Sequence, residues 1–449
     1  MQQQKKQQTA HLNPILWQPL EKLQLTLLSQ HLIYSGIIWI RSEDQQLHEE
    51  QVSLYADRLQ IHQLFCNLTQ TIIRKNIQTI KLVQGKNSTE IFFNRSADLE
   101  NWFNMLKRFT IQLNFSKDYK LNKRLGYQDP QTQIYQARCF ANNVNYTVKV
   151  IQKNNKFDPK LIQQEINILR RIKHKNIINL VEVYEDQYTI FLVFENYFGT
   201  EMVYRFEDIL NSQEPQYARI IYKLLEILSC IHSLGIIHGD IKLENIYVKS
   251  DNLVDICLAN FNQSEFIERV NLIEIQILSY QSPELLNGKP YDQSVDIYAV
   301  GIIFYYFIYQ VMPFSESQEH AQNDNKSGQI EFPQVRNTSY AIDLLKQMLQ
   351  VEPKQRIKPN VAMNHEWFIK MKVQEKLFKQ KSFKDFTLPT ILEKSDIFTQ
   401  SPGQQPKREC IGVFEDEFLM DSLSDRMGLL KNAFNPSKLN HDIFQKKQK

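Results

Sequence analysis

His238-Gly239-Asp240-Ile241-Lys242-Leu243-Glu244-Asn245 lies between two apolar stretches. Asp240 supplies a carboxylate able to take a hydroxyl proton, Lys242 a cation for phosphate oxygens, and Asn245 an amide oxygen for a hard metal ion. One loop thus carries the groups that phosphoryl transfer needs. A carboxylate, an ammonium and an amide at this spacing are hard to explain as a solvated turn alone.

On the N-terminal side of this loop, Tyr146-Thr147-Val148-Lys149-Val150-Ile151 reads as a strand carrying one lysine. Asp158-Pro159 then opens a helix, with Asp as cap and Pro at the first helical position. That helix carries Glu165, and His174 and Asn176 follow it. Beyond it, Ile221, Leu224, Leu225, Leu228 and Ile231 repeat at helical spacing and stop before Gly235. On the C-terminal side come Ser282-Pro283-Glu284, Asp296 in a DIYAVG run, Arg356 in PKQRIKPN, and His365-Glu366-Trp367-Phe368.

These anchors together resemble the eukaryotic protein kinases, of the Ser/Thr and calcium/calmodulin-kinase-like type, over residues 119–368. The resemblance implies an α+β, bilobal fold with ATP between the lobes. Lys149 would hold the nucleotide's α- and β-phosphates and pair with Glu165. Gly126 would belong to the phosphate-covering loop. Ile134, Thr147, Phe194, Glu195, Tyr197 and Tyr247 would surround the purine. Asp240 would be the base for a protein Ser or Thr hydroxyl, Lys242 the γ-phosphate cation, and Asn245 a ligand for Mg. Glu284 would pair with Arg356, and Asp296 would hold the catalytic-loop backbone.

Several positions depart from the family pattern. The covering loop, LGYQDPQTQIY, keeps only Gly126, and Pro130 removes an amide donor. It predicts a strand-turn-strand that covers phosphates weakly. Gly239 replaces the Arg that would grip an activation-loop phosphate, and Ile277 a Thr that would orient the catalytic Asp. Counting thirteen residues from Asn245 puts Leu258-Ala259-Asn260 where the family has Asp-Phe-Gly. Leu cannot coordinate a hard cation, Asp255 would lie on the opposite face of its strand, Asn260 or Asn262 would be weaker ligands needing a shifted loop, and Ala259 would leave a void in the stack that joins the lobes with Leu169 and His238. Thr147, Phe194 and Tyr247 are bulkier than expected and should narrow the purine slot. The resulting expectation is a catalytically impaired pseudokinase acting through interaction or allostery. The alternative is an active kinase with an atypical metal site.

Residues 15–113 have a different grammar. Short strand-like runs, rich in Ile, Val, Phe and Tyr, are followed by a helix predicted to start at Ser96 as N-cap. Leu99, Trp102, Phe103, Leu106 and Phe109 form its apolar face. Strands followed by one helix with a central Trp resemble a pleckstrin-homology domain, a small β-barrel-like module. RSEDQQLHEE, where that family places basic residues, has one Arg and four acids. Anionic phosphoinositide headgroups should be repelled, which favours a protein-contact module. One hypothesis is that it packs on the kinase lobe and holds it inactive.

The remaining bounds are simple. A formal charge of +3 over 449 residues argues against nucleic-acid binding. Five cysteines without a CxxC pair fit a reducing, cytoplasmic setting. Residues 1–14 are Gln- and Lys-rich, read as a disordered tail, and contain no signal-peptide core. The greasiest run, Val300 to Met312, is too short to span a bilayer and predicts a buried helix. Residues 369–449 read as a partly disordered tail. Its basic-apolar start, Ile369 to Phe383, has ragged apolar spacing that disfavours calmodulin as a partner.

Overall fold

The computed structural model describes residues 16–19, 32–41, 46–129, 132–155, 157–196, 199–267, 280–314, 327, 330–334 and 339–373. Tyr197, Pro130, Ile277, residues 1–14 and the tail from 374 onward lie outside the described residues, so the expectations placed on them go no further here.

After a short strand β1 (Gln18–Pro19), the N-terminal module has two antiparallel meanders. The first is β2 (Tyr34–Arg41), β3 (Leu47–Leu54), β4 (Arg58–Ile61) and β5 (Leu64–Asn67). The second is β6 (Ile72–Lys75), β7 (Thr79–Gln84) and β8 (Asn87–Phe92). They join where β2 meets β8, with Ile40 opposite Ile91. Alternation sets the inner face: Val52 and Leu54 are buried, while Gln51 on the same strand is exposed. Helix α1 (Ser96–Leu106) packs Leu99, Trp102 and Leu106 into the core of this module, and the Trp102 ring meets Tyr34 edge-on at 4.9 Å. Ser96 is not the N-cap. The chain is extended at Arg95, so Arg95 is the cap residue, without a capping side-chain bond, and Ser96 is already helical. The Arg95 guanidinium pairs instead with Asp98 at 2.7 Å.

Strand β9 (Ile111–Gln112) follows, and then the small lobe: β10 (Tyr119–Asp129), β11 (Thr132–Cys139), β12 (Asn145–Gln152), α2 (Pro159–Arg171), β13 (Leu180–Glu185) and β14 (Thr189–Glu195). Asp158 caps α2 as predicted, accepting from the Lys160 amide at 2.8 Å, with Pro159 at the first position. The expected strand-turn-strand at the covering loop is the β10–β11 hairpin, in which Gly126 pairs with Ile134. Strand β9 runs parallel to both β6 and β13, so the N-terminal module and the small lobe share one 14-stranded sheet.

The large lobe is helical. Helix α3 (Glu214–Ser233) packs on α4 (Ser294–Tyr309), and α5 (Ser339–Met348) packs on α4 from another side. Residues 295–308 are all buried, whereas the helix ends at Tyr309 and Val311 is exposed, so the run Val300–Met312 is a buried helix only in its first part. Gly301 permits this packing, because a Cβ there would lie 2.7 Å from Leu349 Cδ2. Among the described residues, no helix is long and apolar enough to cross a membrane. Two short strands, β17 (Ile246–Val248) and β18 (Ile256–Leu258), face the small lobe beside the catalytic loop. In chain order β15 (Thr200–Glu201) and β16 (Ile236–Ile237) precede them.

Candidate active site

Lys149 sits mid-strand on β12, with Ile134 and Leu192 as its lateral neighbours. Its ammonium reaches both Glu165 oxygens, at 2.8 and 2.9 Å, and both residues are buried. Burial makes each side chain depend on the other, since an unpaired charge there would cost about 3–5 kcal/mol.

The loop with Asp240 is positioned from below. Asp296, at the start of α4, accepts the backbone N–H groups of His238 and Gly239, each at 2.9 Å. His232 Nε2 lies 2.9 Å from the same carboxylate. Burial alone would raise the Asp296 pKa, but the His232 contact, His238 and the backbone donor together hold it below the ordinary carboxylate value. On the loop itself, Asp240 Oδ1 pairs with Lys242 Nζ at 2.9 Å. Asn245 Nδ2 donates to the Asp240 carbonyl at 2.7 Å and to its Oδ2 at 2.8 Å.

Gly239 stands in left-handed backbone, φ +77°, and a Cβ there would lie 3.0 Å from the Gln263 carbonyl oxygen. An L side chain is disfavoured on both counts.

The segment after β18 overturns the expected Leu258-Ala259-Asn260 register. Leu258 is a fully buried strand residue opposite Ile246; its N–H donates to Asn176 O at 2.8 Å. The chain turns two residues later, at Asn260, φ +64°. From there Asn260 Nδ2 donates to Asn245 Oδ1 at 3.1 Å and lies 3.4 Å from Asp240 Oδ2. Phe261 follows, 1% exposed, its ring edge-on to His238 at 4.7 Å. The positions expected of Asp-Phe-Gly are therefore filled by Asn260-Phe261-Asn262. The void anticipated at Ala259 is not a missing spine member, because Phe261 supplies the aromatic beside His238 and Leu169. The physical reason is the β17–β18 turn, closed by Lys249 N–H donating to Asp255 O at 2.8 Å, which absorbs the added residues. Asp255 lies in that turn, exposed, and not at the site.

The cleft between the lobes encloses about 350 Å³. Lys149, Glu165, Asn260 and Phe261 line it, together with Ile134, Thr147, Phe194 and Tyr247. The bulky trio does not close the slot, since this volume lies within the range of about 300–1,000 Å³ of small-molecule pockets. Glu195 lies beside the cleft rather than in it; it is exposed and accepts from Asn179 Nδ2 at 2.6 Å. Sequence reasoning missed Glu201 and Tyr204, which also line the cleft. Tyr247 OH donates to Glu201 Oε1 at 3.3 Å. Burial raises the Glu201 pKa despite that bond, and burial, then the Glu201 charge, raises that of Tyr247. No motif marks Glu201; only its placement after β14 brings it here.

A family model described as the protein kinase domain matches residues 119–368. The chain belongs to the protein kinase family. Among curated proteins, the serine/threonine-protein kinase DCLK3 of Mus musculus is 31% identical over 266 residues, 57% of this chain and 34% of that protein. Myosin light chain kinase A of Dictyostelium discoideum is 27% identical over 260 residues, 56% of this chain and 88% of that one. Calcium/calmodulin-dependent protein kinase type IV of Rattus norvegicus is 29% identical over 250 residues, 52% of this chain and 51% of that one. The chain thus spans about a third of the first relative and half of the third.

The large lobe of the kinase domain carries the family's buried ion pair, with Arg356 Nη2 2.6 Å from Glu284 Oε2. Protein kinase domains use ATP and Mg, and the fit of this site to the metal is poor. Asp240 is paired with Lys242 and Glu165 with Lys149, and the oxygen of Asn245 accepts from the Asn260 amide. Among the described residues, no group of three His, Cys, Asp or Glu could hold a metal ion. A hard divalent cation favours carboxylate oxygens, and here the amides of Asn245 and Asn260 face Asp240, which is already paired with Lys242.

Proposed function

We propose that this chain is a Ser/Thr-kinase-fold signalling protein whose cleft takes an adenine nucleotide but whose phosphotransfer is impaired, so that it works by contact with other proteins or by allostery. One observation carries the reading: the Asn260 amide donates to Asn245 Oδ1 at 3.1 Å, where the family relies on a carboxylate and a metal. Metal neutralisation of phosphate charge is central to this chemistry, and an amide supplies none of it. In this reading Lys149, held by Glu165, takes the α- and β-phosphates. Asp240 and Lys242 stay poised for a hydroxyl and a γ-phosphate.

The second reading, an active kinase with an atypical metal site, is favoured by the assembled groups themselves. Lys149 with Glu165, Asp240 with Lys242, and Phe261 against His238 are all in working register. Thermal-shift binding of ATP with and without Mg, beside a phosphotransfer assay, separates the two. Stabilisation by ATP that is indifferent to Mg, without turnover, supports the first. Mg-dependent stabilisation with turnover abolished in Asp240→Ala sinks it. Asn260→Asp is the companion variant, expected to raise phosphotransfer by at least about tenfold if the rest of the site is competent.

The barrel at residues 15–113 is read as a pleckstrin-homology-like protein-contact module, because the acidic β2–β3 region disfavours anionic lipid. Protein substrates or partners follow from the kinase domain. Calmodulin remains open through relatives named as calcium/calmodulin-dependent. Cytoplasmic placement rests on cysteine usage, with Cys66, Cys139, Cys230 and Cys257 as free thiols.

A further inference from the structure

Helix α2 lies between two bodies. On one side Glu165 grips Lys149, and Leu169, one turn on, lines the cleft. The other side faces the barrel. Positions 163 and 170 are two turns apart, on a common face, and 163 lies roughly opposite 165 around the helix. Gln163 Nε2 donates to the Thr69 carbonyl at 3.2 Å, and Arg170 Nη2 to the Thr110 carbonyl at 2.7 Å. Arg170 Nη1 lies 3.5 Å from the Thr69 carbonyl. Both acceptors belong to the barrel side, flanking β6 and β9. Arg171 extends the contact: its guanidinium lies 3.9 Å from Asp57 of the barrel and 4.8 Å from the Phe266 ring centre. Gln164 Nε2 donates to Ser264 O, 2.9 Å, tying the helix to the segment after Phe261.

Arg170 is unusual among these. Its side chain is buried, its Nε has no partner, and among the described residues no carboxylate pairs with it. A guanidinium taken out of water without a counter-charge is tolerated only where its hydrogen bonds are well made. Those bonds exist only while the barrel stays against the helix. Around them, Ile111 of β9 is buried in the lobe's own apolar core, and Ile72 of β6 packs against it.

We propose that Arg170 is a positioning residue: by donating to the Thr110 and Thr69 carbonyls, it uses the barrel as a backstop that keeps α2, and with it Glu165, against Lys149. Swinging α2 out of the cleft would strand a buried guanidinium and break the Gln163 bond. The barrel therefore favours the assembled Lys149–Glu165 pair, opposite to a module that holds the lobe inactive. The inference is independent of whether phosphotransfer occurs.

Amide hydrogen exchange on the full chain tests this. In Arg170→Ala, exchange across residues 159–171 should rise at least about tenfold, with residues 34–92 within about twofold of the parent. Arg170→Lys, which can still reach one carbonyl, should recover most of the protection. Lys107→Ala, which cuts the separate 2.9 Å contact to Glu182 on β13, should leave the helix protected. In a double-mutant cycle with Glu165→Gln, the effects should be non-additive, because both act through one helix. The proposal is overturned if α2 in Arg170→Ala exchanges within about twofold of the parent, if Arg170→Lys rescues nothing, or if the cycle is additive. Acceleration spread equally through the barrel also overturns it, since that is unfolding and not release of the helix. Should Arg170→Ala fail to fold, Gln163→Ala carries the same test, with about a threefold rise expected and no change counting against it.

Discussion

The two walls of the catalytic centre were built to different standards. The lower wall, residues 238–245, keeps its charges and is gripped by Asp296 through two backbone bonds. The upper wall, residues 258–264, has a left-handed turn at Asn260 and a buried aromatic at Phe261, and presents an amide to Asn245. Shape and charge are thus separable: packing and the backbone turn fix where Asn260 points, whereas its amide, unlike a carboxylate, brings no charge there.

The contrast can be broken most severely at Leu258. Leu258→Asp would bury an uncompensated carboxylate in β18 and should cost about 5 kcal/mol of stability in denaturant titration. Tolerance of that variant would reinstate the register that makes Leu258 the metal position. Phe261→Ala should cost about 3–4 kcal/mol by the same measurement, through the cavity left beside His238. Ala259→Phe in the same background should not restore it, because the backbone carries residue 259 elsewhere. Gly239→Ala should cost about 1–2 kcal/mol, through the positive φ and the tight approach to Gln263 O.

The smallest effect is on pH. Burial holds the His238 pKa below its ordinary value of 6.5. The native ring is therefore neutral, while the unfolded chain takes up a proton below about 6.5, so stability present above that pH is lost as pH falls. Asp296, whose native pKa is lowered, adds a second loss only below the carboxylate range. Unfolding free energy measured at pH 7.5 and 5.5 should fall on acidification, and His238→Gln should flatten that slope.

The sequence was most legible where function is local or ionic. The Lys149–Glu165 and Glu284–Arg356 pairs could be anticipated from the family resemblance, because a buried charge needs its partner, whereas the Asp240–Lys242 contact is seen only in the structure. The position of Asn260 was not legible by counting from Asn245, since a solvated turn such as Lys249–Asp255 accepts extra residues at little cost. The signal that would have found it was the pattern itself, an apolar strand ending in an oxygen-bearing residue followed by Phe. Arg170 was opaque for another reason. A helix-borne Arg reads as solvated, and only the approach of the sequence-distant N-terminal module makes it buried. Glu201 and Tyr204 likewise reach the cleft by tertiary placement alone.

The two-residue strand β9 has a consequence for any fragment of this chain. By lying along Ile72 on one side and Val183 on the other, it covers part of the flank of β13. A piece beginning at Tyr119 would leave that flank open, with backbone donors and acceptors bare beside Val183 and Tyr184. Such an open edge invites pairing with other chains. The isolated lobe should therefore self-associate, and its solubility, more than its fold, would limit work on it alone.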